Sequence, residues 1–474
     1  MKTKQVRSRT CRLVLAVSSA LVIATLFAAD AGAQPPPAAD VNFSVPSLFP
    51  KYNPNIHDYV VRCNDAAVTV TVHASTGWEV SIADNPFQSG DFSQVVPLGS
   101  GLEFTVAVRD MARIQLYPYY VRCLPNAFPK YSFTRYRAAS PKYFSVSLYH
   151  DGPLDGVIFN NNGVPLWWYN FATWDTRVLP DGKLLWSARG WGIHSLTGSL
   201  LTTLKAVGQR ANSHDVQFTS NGDHLVGANV VQHHVDTSAY GGSSDADVIN
   251  AELQEVSPTG NLVWDWQSQN HISLSETGRW WPSQQPYDIL HWNSIEPAGD
   301  SVIASFRHLD AVYKIRKSSG NIVWKLGGTK TAKSLTVKND PYGYTFGGQH
   351  DARLLPDGTL TVFDNRTGLS QPPRAVRYRI DEQARTATLL ESISDPGDPS
   401  SICCGSARRL DNADWLIDWG FEGVIGGYEP SGRRTFRLRL TPYWSYRAEP
   451  VPMGAVSAQD LRQAMDAMCS SGCG

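Results

Sequence analysis

Three histidines share one register of a repeated hairpin, and that register is the first chemical signal in the chain. Counting eight residues back from the turn glycines Gly222, Gly299 and Gly358 gives His214, His291 and His350. The same count gives Trp174 from Gly182, and Gly405 from Ala413, which stands at the glycine position. Equal phase in a repeat means equal position in each unit, so three imidazoles far apart in sequence are expected to face one axis. Converging titratable groups mark sites. His224, His233, His234, His271 and His308 fall outside this phase and are left out of the expected site.

Counting eight forward from Gly299 and Gly358 gives Arg307 and Arg366, which antiparallel geometry places on the same rim. A guanidinium beside imidazoles makes an oxyanion site, because its planar fork matches a tetrahedral anion. Asn293, two residues beyond His291, shares its sheet face and can donate an amide hydrogen bond. Ser406, next to Gly405, can reach the same channel. Two other readings stay open at this point. Three histidines could hold Zn²⁺ with one position free, although no carboxylate shares their phase. The chain could also be a non-enzymatic propeller that binds a ligand or a protein.

The elements that must position these residues are two recurring hairpins. One reads apolar, turn, apolar, as in Arg177-Val-Leu-Pro-Asp-Gly-Lys-Leu-Leu185 and Arg353-Leu-Leu-Pro-Asp-Gly-Thr-Leu360. The other is a turn followed by a β-rich, often Trp-bearing strand, as in Thr259-Gly-Asn-Leu-Val-Trp264 and Ser319-Gly-Asn-Ile-Val-Trp324. Their alternation predicts an all-β fold, a six-bladed β-propeller over 142–451. A Pro/Ala-rich linker and a region of short strands precede it. Over 41–136 the stretches Tyr59-Val-Val-Arg-Cys63 and Tyr119-Tyr-Val-Arg-Cys123 echo each other, which predicts a small β-sandwich with Cys63 bonded to Cys123 across it. Residues 452–474 read as a C-terminal tail.

Residues 1–33 read as a secretion signal: a basic start, an apolar run from Leu13 to Ala29, and Ala31-Gly32-Ala33 before Gln34. No later stretch is apolar enough to span a bilayer, so a periplasmic or secreted protein is expected. Export permits disulfides. The pairing of Cys403, Cys404, Cys469 and Cys473 is open. The net charge of −1 gives no field that would gather nucleic acid or acidic membranes.

The phased residues and their surroundings resemble the bacterial arylsulfate sulfotransferase family. The resemblance rests on Ser213-His-Asp-Val-Gln217, on His291-Trp-Asn-Ser294 with Ser305-Phe-Arg307 and Ile322-Val-Trp-Lys-Leu-Gly-Gly328, and on Gln349-His-Asp-Ala-Arg353 with Phe363-Asp-Asn365. Cys404-Gly-Ser-Ala407 and Ile417-Asp-Trp-Gly420 complete it. It implies a six-bladed propeller that moves a sulfuryl group from an aryl sulfate to a phenol, with no nucleotide donor and no cofactor. The implied mechanism is ping-pong through a sulfohistidine on His350, served by His214, His291, Asn293 and Arg307. Small-molecule aryl sulfates and phenols are the implied partners, and a homodimer is allowed. Trp280, Trp281 and Tyr287 are candidates to stack on a planar substrate, or to be core.

Overall fold

The computed structural model describes residues 35–470 apart from 37, 64–66, 150–154, 171–173, 189, 282–284, 399 and 441. The expected secretion signal lies outside the described residues, as does Cys473. The described residues are all-β apart from short 3₁₀ turns and one α-helix.

Strict alternation makes the first strands. In Val68–Ala74 the valines are buried, while Thr69, Thr71 and His73 face solvent. Val41–Ser44, Val68–Ala74 and Gly90–Val96 form one sheet. Asp58–Arg62, Gln115–Leu124, Glu103–Asp110 and Trp78–Ile82 form a second, and the two share a core that includes Val70, Val106 and Tyr119. Cys63 and Cys123 are bonded, with Cα atoms 5.7 Å apart. The bond joins the ends of neighbouring strands in one sheet, not the two sheets as expected. The echoed sequences pair in parallel, Tyr59 against Val121, which brings the two cysteines side by side.

The rest of the chain forms six sheets that each contain a four-stranded antiparallel meander. Their first strands, Trp174–Val178, Ala211–Phe218, Trp292–Pro297, His350–Leu354 and Ser406–Arg409, touch one another in sequence order. Trp444–Pro450 closes the circle, touching Ser406–Arg409 on one side and Trp174–Val178 on the other. This last strand pairs with Tyr143–Tyr149, so the end of the chain completes the sheet that the beginning opened.

Second strands such as Ser301–Phe306 and Thr359–Asp364 are buried at every position, because each sheet is covered on both faces by its neighbours. Sheets approach closely where a side chain is missing. A Cβ on Gly227 would lie 2.2 Å from the Trp292 indole, so only glycine admits that ring. Exposed edges are blunted by added strands. Thr336–Lys338 runs parallel to Thr386–Ile393, and Ser132–Arg135, from the end of the leading region, pairs with Arg434–Arg439.

The C-terminal residues expected as a tail include a helix, Ala458–Met468. Ser457 and Asp460 form a capping box at its start, the sequence signal that announces it. Leu461, Ala464 and Met465 are buried. Arg462 reaches Asp58 at 2.5 Å and Asp466 reaches Arg122 at 2.8 Å, which ties the helix to the leading sheets. No helix among the described residues is long and apolar enough to cross a membrane.

Candidate functional site

Register breaks in the inner strands aim the phased side chains. The pairing shifts between Trp174 and Arg177, Ala211 and Val216, Trp292 and Ser294, and His350 and Arg353. Asp175, His291 and Asp351 take left-handed backbone conformations beside these breaks, and Cys404 takes one just before the unbroken strand Ser406–Arg409. An extra residue in one strand bends it and re-aims its side chains, and such bulges gather at sites.

The phased residues meet at one end of the ring. The His214 and His291 rings lie 5.0 Å apart, edge to face. Tyr446 lies 5.9 Å from His214 and 6.4 Å from His350, and stacks on Trp174 at 4.5 Å. Tyr446 was not foreseen. Its strand comes last and has no turn glycine after it to count from, yet Tyr446-Arg447-Ala-Glu449 stands where His350-Asp351-Ala-Arg353 stands in its own sheet. That echo of position and charge was the available signal.

Each imidazole has a fixed tautomer. His350 Nδ1 lies 2.8 Å from Asn365 Oδ1 and 3.0 Å from Gly348 O, so it must donate, and Nε2 carries the lone pair. The Cys404 N–H donates to that Nε2 at 3.3 Å. Burial, then the Arg307 charge, hold His350 well below the usual imidazole pKa, so it is neutral. His214 Nδ1 donates to Asn212 Oδ1, and burial lowers its pKa to about 3. His291 Nδ1 donates to Asp288 Oδ2 at 2.7 Å. Burial is the largest influence on the Asp288 carboxylate and works against it, but the His291 hydrogen bonds and the His291 and His308 charges together keep Asp288 below its ordinary value.

Arg307 joins the group, and it brings His308 with it. His308 was set aside on phase, but it sits on the turn that carries Arg307, with its ring 4.8 Å from His291. Arg307 Nη1 donates to His308 Nε2 at 2.9 Å and Nη2 to Ile402 O at 2.9 Å. Its buried Nε has no acceptor among the described residues. Trp280 lies under Arg307 at 4.5 Å and against His308 at 5.0 Å, so this indole holds the arginine in place. Trp281 stacks on Tyr240 instead, and Tyr287 is core. Aromatic surface at the site comes from Trp174 and Tyr446, with Tyr149, Trp444 and Phe421 next to them. A cavity of ≈ 360 Å³ opens beside His214, lined by Ser187, Gly190, Arg210, Asn212 and Asn229.

Three expected residues are placed otherwise. Asn293 is buried, and its amide donates to Gln349 O at 2.7 Å, so it holds the backbone that leads into His350. Ser406 donates to Ala448 O at 2.9 Å, strand to strand. Arg366 turns away to Tyr344 O and Gln371, over the Tyr342 ring. Among the described residues the donor set that could gather a cation is Asp288, His291 and His308, not the three phased histidines. Arg307 already occupies His308 Nε2, which argues against a bound cation there.

Beneath the imidazoles the axis is filled with charge. Arg447 lies 2.8 Å from Asp175 and 3.4 Å from both Asp215 and Asp351. Arg353 reaches Asp215 at 2.8 Å and Arg408 reaches Asp351 at 2.8 Å. Arg177 reaches Asp215 at 2.6 Å. These groups are buried or nearly so, and paired. They come from the positions just after the phased ones, so the repeat that converges the histidines also converges their neighbours.

A family model described as Arylsulfotransferase (ASST) matches residues 139–439. No curated protein matches the chain. Among solved structures, a protein of unknown function from Bacteroides caccae is 12% identical, over 66% of this chain and 100% of that one, with a TM-score of 0.43. The β-propeller domain of a Myceliophteria thermophila protein is 10% identical, over 66% and 89%, at 0.35. A catalytically inactive virginiamycin B lyase from Staphylococcus aureus, with quinupristin, is 10% identical, over 69% and 91%, at 0.34.

Proposed function

Because the chain belongs to the arylsulfotransferase family, we propose that it transfers a sulfuryl group from an aryl sulfate to a phenol in two steps through His350. The six sheets of the ring are read as the blades of a six-bladed propeller over 142–451. The leading pair of sheets, 41–136, is read as a β-sandwich, and the protein as periplasmic or secreted. The observation that carries the mechanism is the hydrogen bond from His350 Nδ1 to Asn365, which leaves Nε2 as a neutral nucleophile in the ring of histidines.

In the first step Nε2 attacks sulfur, the N–S bond forms and the S–O bond to the aryl group breaks. The leaving phenolate takes the Nε2 proton of His291, so the step starts from the form of His291 that carries a proton on both nitrogens, with Nδ1–H on Asp288. A carboxylate at Nδ1, here Asp288, lets an imidazole give and recover a proton at Nε2. In the second step a phenol returns that proton to His291, attacks sulfur and frees His350. His214, neutral with its proton on Nδ1, accepts the hydrogen bond of the entering hydroxyl before that hydrogen turns to His291. Arg307 holds the sulfuryl oxygens together with the Cys404 N–H, which passes from His350 Nε2 to a sulfuryl oxygen as the N–S bond forms. Trp174 and Tyr446 offer their faces to the aryl ring.

With 4-nitrophenyl sulfate, a burst of nitrophenol should accompany a sulfuryl adduct on His350. The lowered pKa sets the sign of the pH effect. The nucleophile stays unprotonated as pH falls through the ordinary imidazole range, so the burst rate should hold to about pH 5.5, where a group of pKa about 6.5 would lose tenfold. A burst that titrates away near 6.5, or turnover without an adduct, would count against His350.

A further inference from the structure

We propose that Cys403 and Cys404 form a disulfide between adjacent residues, and that this small ring fixes the Cys404 N–H as a donor at His350 Nε2. The second half rests on the role given above to His350. The first half stands on geometry of its own.

The two sulfur atoms lie 2.7 Å apart, and neither cysteine has another cysteine partner among the described residues. The other described cysteines, Cys63, Cys123 and Cys469, are disulfide-bonded. The peptide that carries the pair is held from several sides. Asn365 Nδ2 donates to Cys404 O at 2.9 Å while its Oδ1 accepts from His350, so one amide ties the cysteine backbone to the imidazole. The N–H of Gly405, next in sequence, donates to Tyr446 O at 2.9 Å. Arg307 donates to the carbonyl of Ile402, just before the pair. Cys404 adopts a φ of 66°, a conformation that ordinary residues avoid. A ring closed through both side chains would hold that turn in place. The turn is what points the Cys404 N–H into the site.

Oxidation balances by thiol–disulfide exchange with a disulfide donor such as oxidised glutathione. The Cys403 thiolate attacks the donor disulfide, forms a mixed disulfide and releases one donor thiolate. Cys404 sulfur, losing its proton, then displaces the second donor thiolate. Two protein thiols are oxidised and one donor disulfide is reduced to two thiols. The hydrogen bond from the Cys404 thiol, with Arg307 nearby, lowers the Cys403 pKa, so Cys403 is the attacking sulfur.

The test begins with full-length protein purified without reductant and treated with iodoacetamide before digestion. The peptide with both cysteines should be unalkylated and lighter by two hydrogens, and should take two alkyl groups after dithiothreitol. Alkylation before reduction would overturn the proposal. Next, the rate of sulfuryl adduct formation is compared in the native protein and in Cys403→Ser/Cys404→Ser. Reduction should slow the native protein about tenfold, to the rate of the variant, and reoxidation with glutathione disulfide should restore it. An equal effect of reductant on the variant would assign it to another disulfide and overturn the positioning role. If the variant does not fold, reversal in the native protein decides the matter, and a loss that oxidation does not reverse counts against it. Absence of any adduct would sink the role of His350 but leave the peptide map intact, so the two failures are separable.

Discussion

Alanine at His350 is expected to remove both the sulfuryl adduct and turnover, a fall of at least about 10⁴-fold in kcat/KM. The argument is geometric. Among the described residues, His350 is the imidazole whose Nδ1 is held by an amide oxygen and a carbonyl together while its Nε2 faces the site. His214 and His291 each serve a different neighbour, Asn212 and Asp288. Neither can replace the bond that forms to sulfur. Asn365→Ala offers a graded control. It frees the ring to change tautomer and should cost about 10- to 100-fold, by analogy with the loss of other groups that orient an imidazole. Single-turnover release of nitrophenol, with mass analysis of the His350 peptide, reads both. An adduct that persists in His350→Ala would refute the assignment.

The second large effect concerns stability. Arg447→Met should destabilise the fold by about 3–5 kcal/mol, because it removes the cation shared by three buried carboxylates and leaves their charge only partly paired. Arg447 is fully buried and faces Asp175, Asp215 and Asp351, and it also donates to His214 O and Asn293 O. The wild-type arginines hold the Asp215 pKa far below its ordinary value against burial. That part of the stability is present above the unfolded carboxylate pKa and is lost on acidification below it. In the variant Arg353 and Arg177 still hold the Asp215 pKa down, but less far, so its folded state loses less on protonation than the wild type does. The deficit should therefore be constant near neutral pH and narrow as pH falls below about 4, the unfolded carboxylate pKa. Denaturant unfolding of both proteins at two pH values measures it. A deficit independent of pH would place the loss in packing instead of charge.

The sequence carried more of the site than of the architecture around it. A repeat with fixed turn glycines locates every inner strand that is followed by its own hairpin, which is why His214, His291 and His350 were legible. It is silent on Trp444–Pro450, the inner strand with no hairpin after it, and so Tyr446 and Arg447 were missed. Phase also misleads at loops. His308 follows Arg307 on a 3₁₀ turn, where strand register no longer says which way a side chain faces. Asn293 and Ser406 lie on the expected strands, but strand-to-strand hydrogen bonding claims their polar atoms. Counting gives a position along a strand. It does not give the partner that reaches the side chain first.

The strand that closes the ring has a temporal meaning as well. Trp444–Pro450 is synthesised after all of the other inner strands, and it supplies both an aromatic wall of the site and the arginine that neutralises the carboxylates beneath it. Until it docks on Tyr143–Tyr149, the last blade edge is open and the acidic floor lacks Arg447. A nascent chain thus holds His350 long before it holds the residues that enclose it. The clasp works as a completion check, in which the last inner strand to be made brings together the groups made before it.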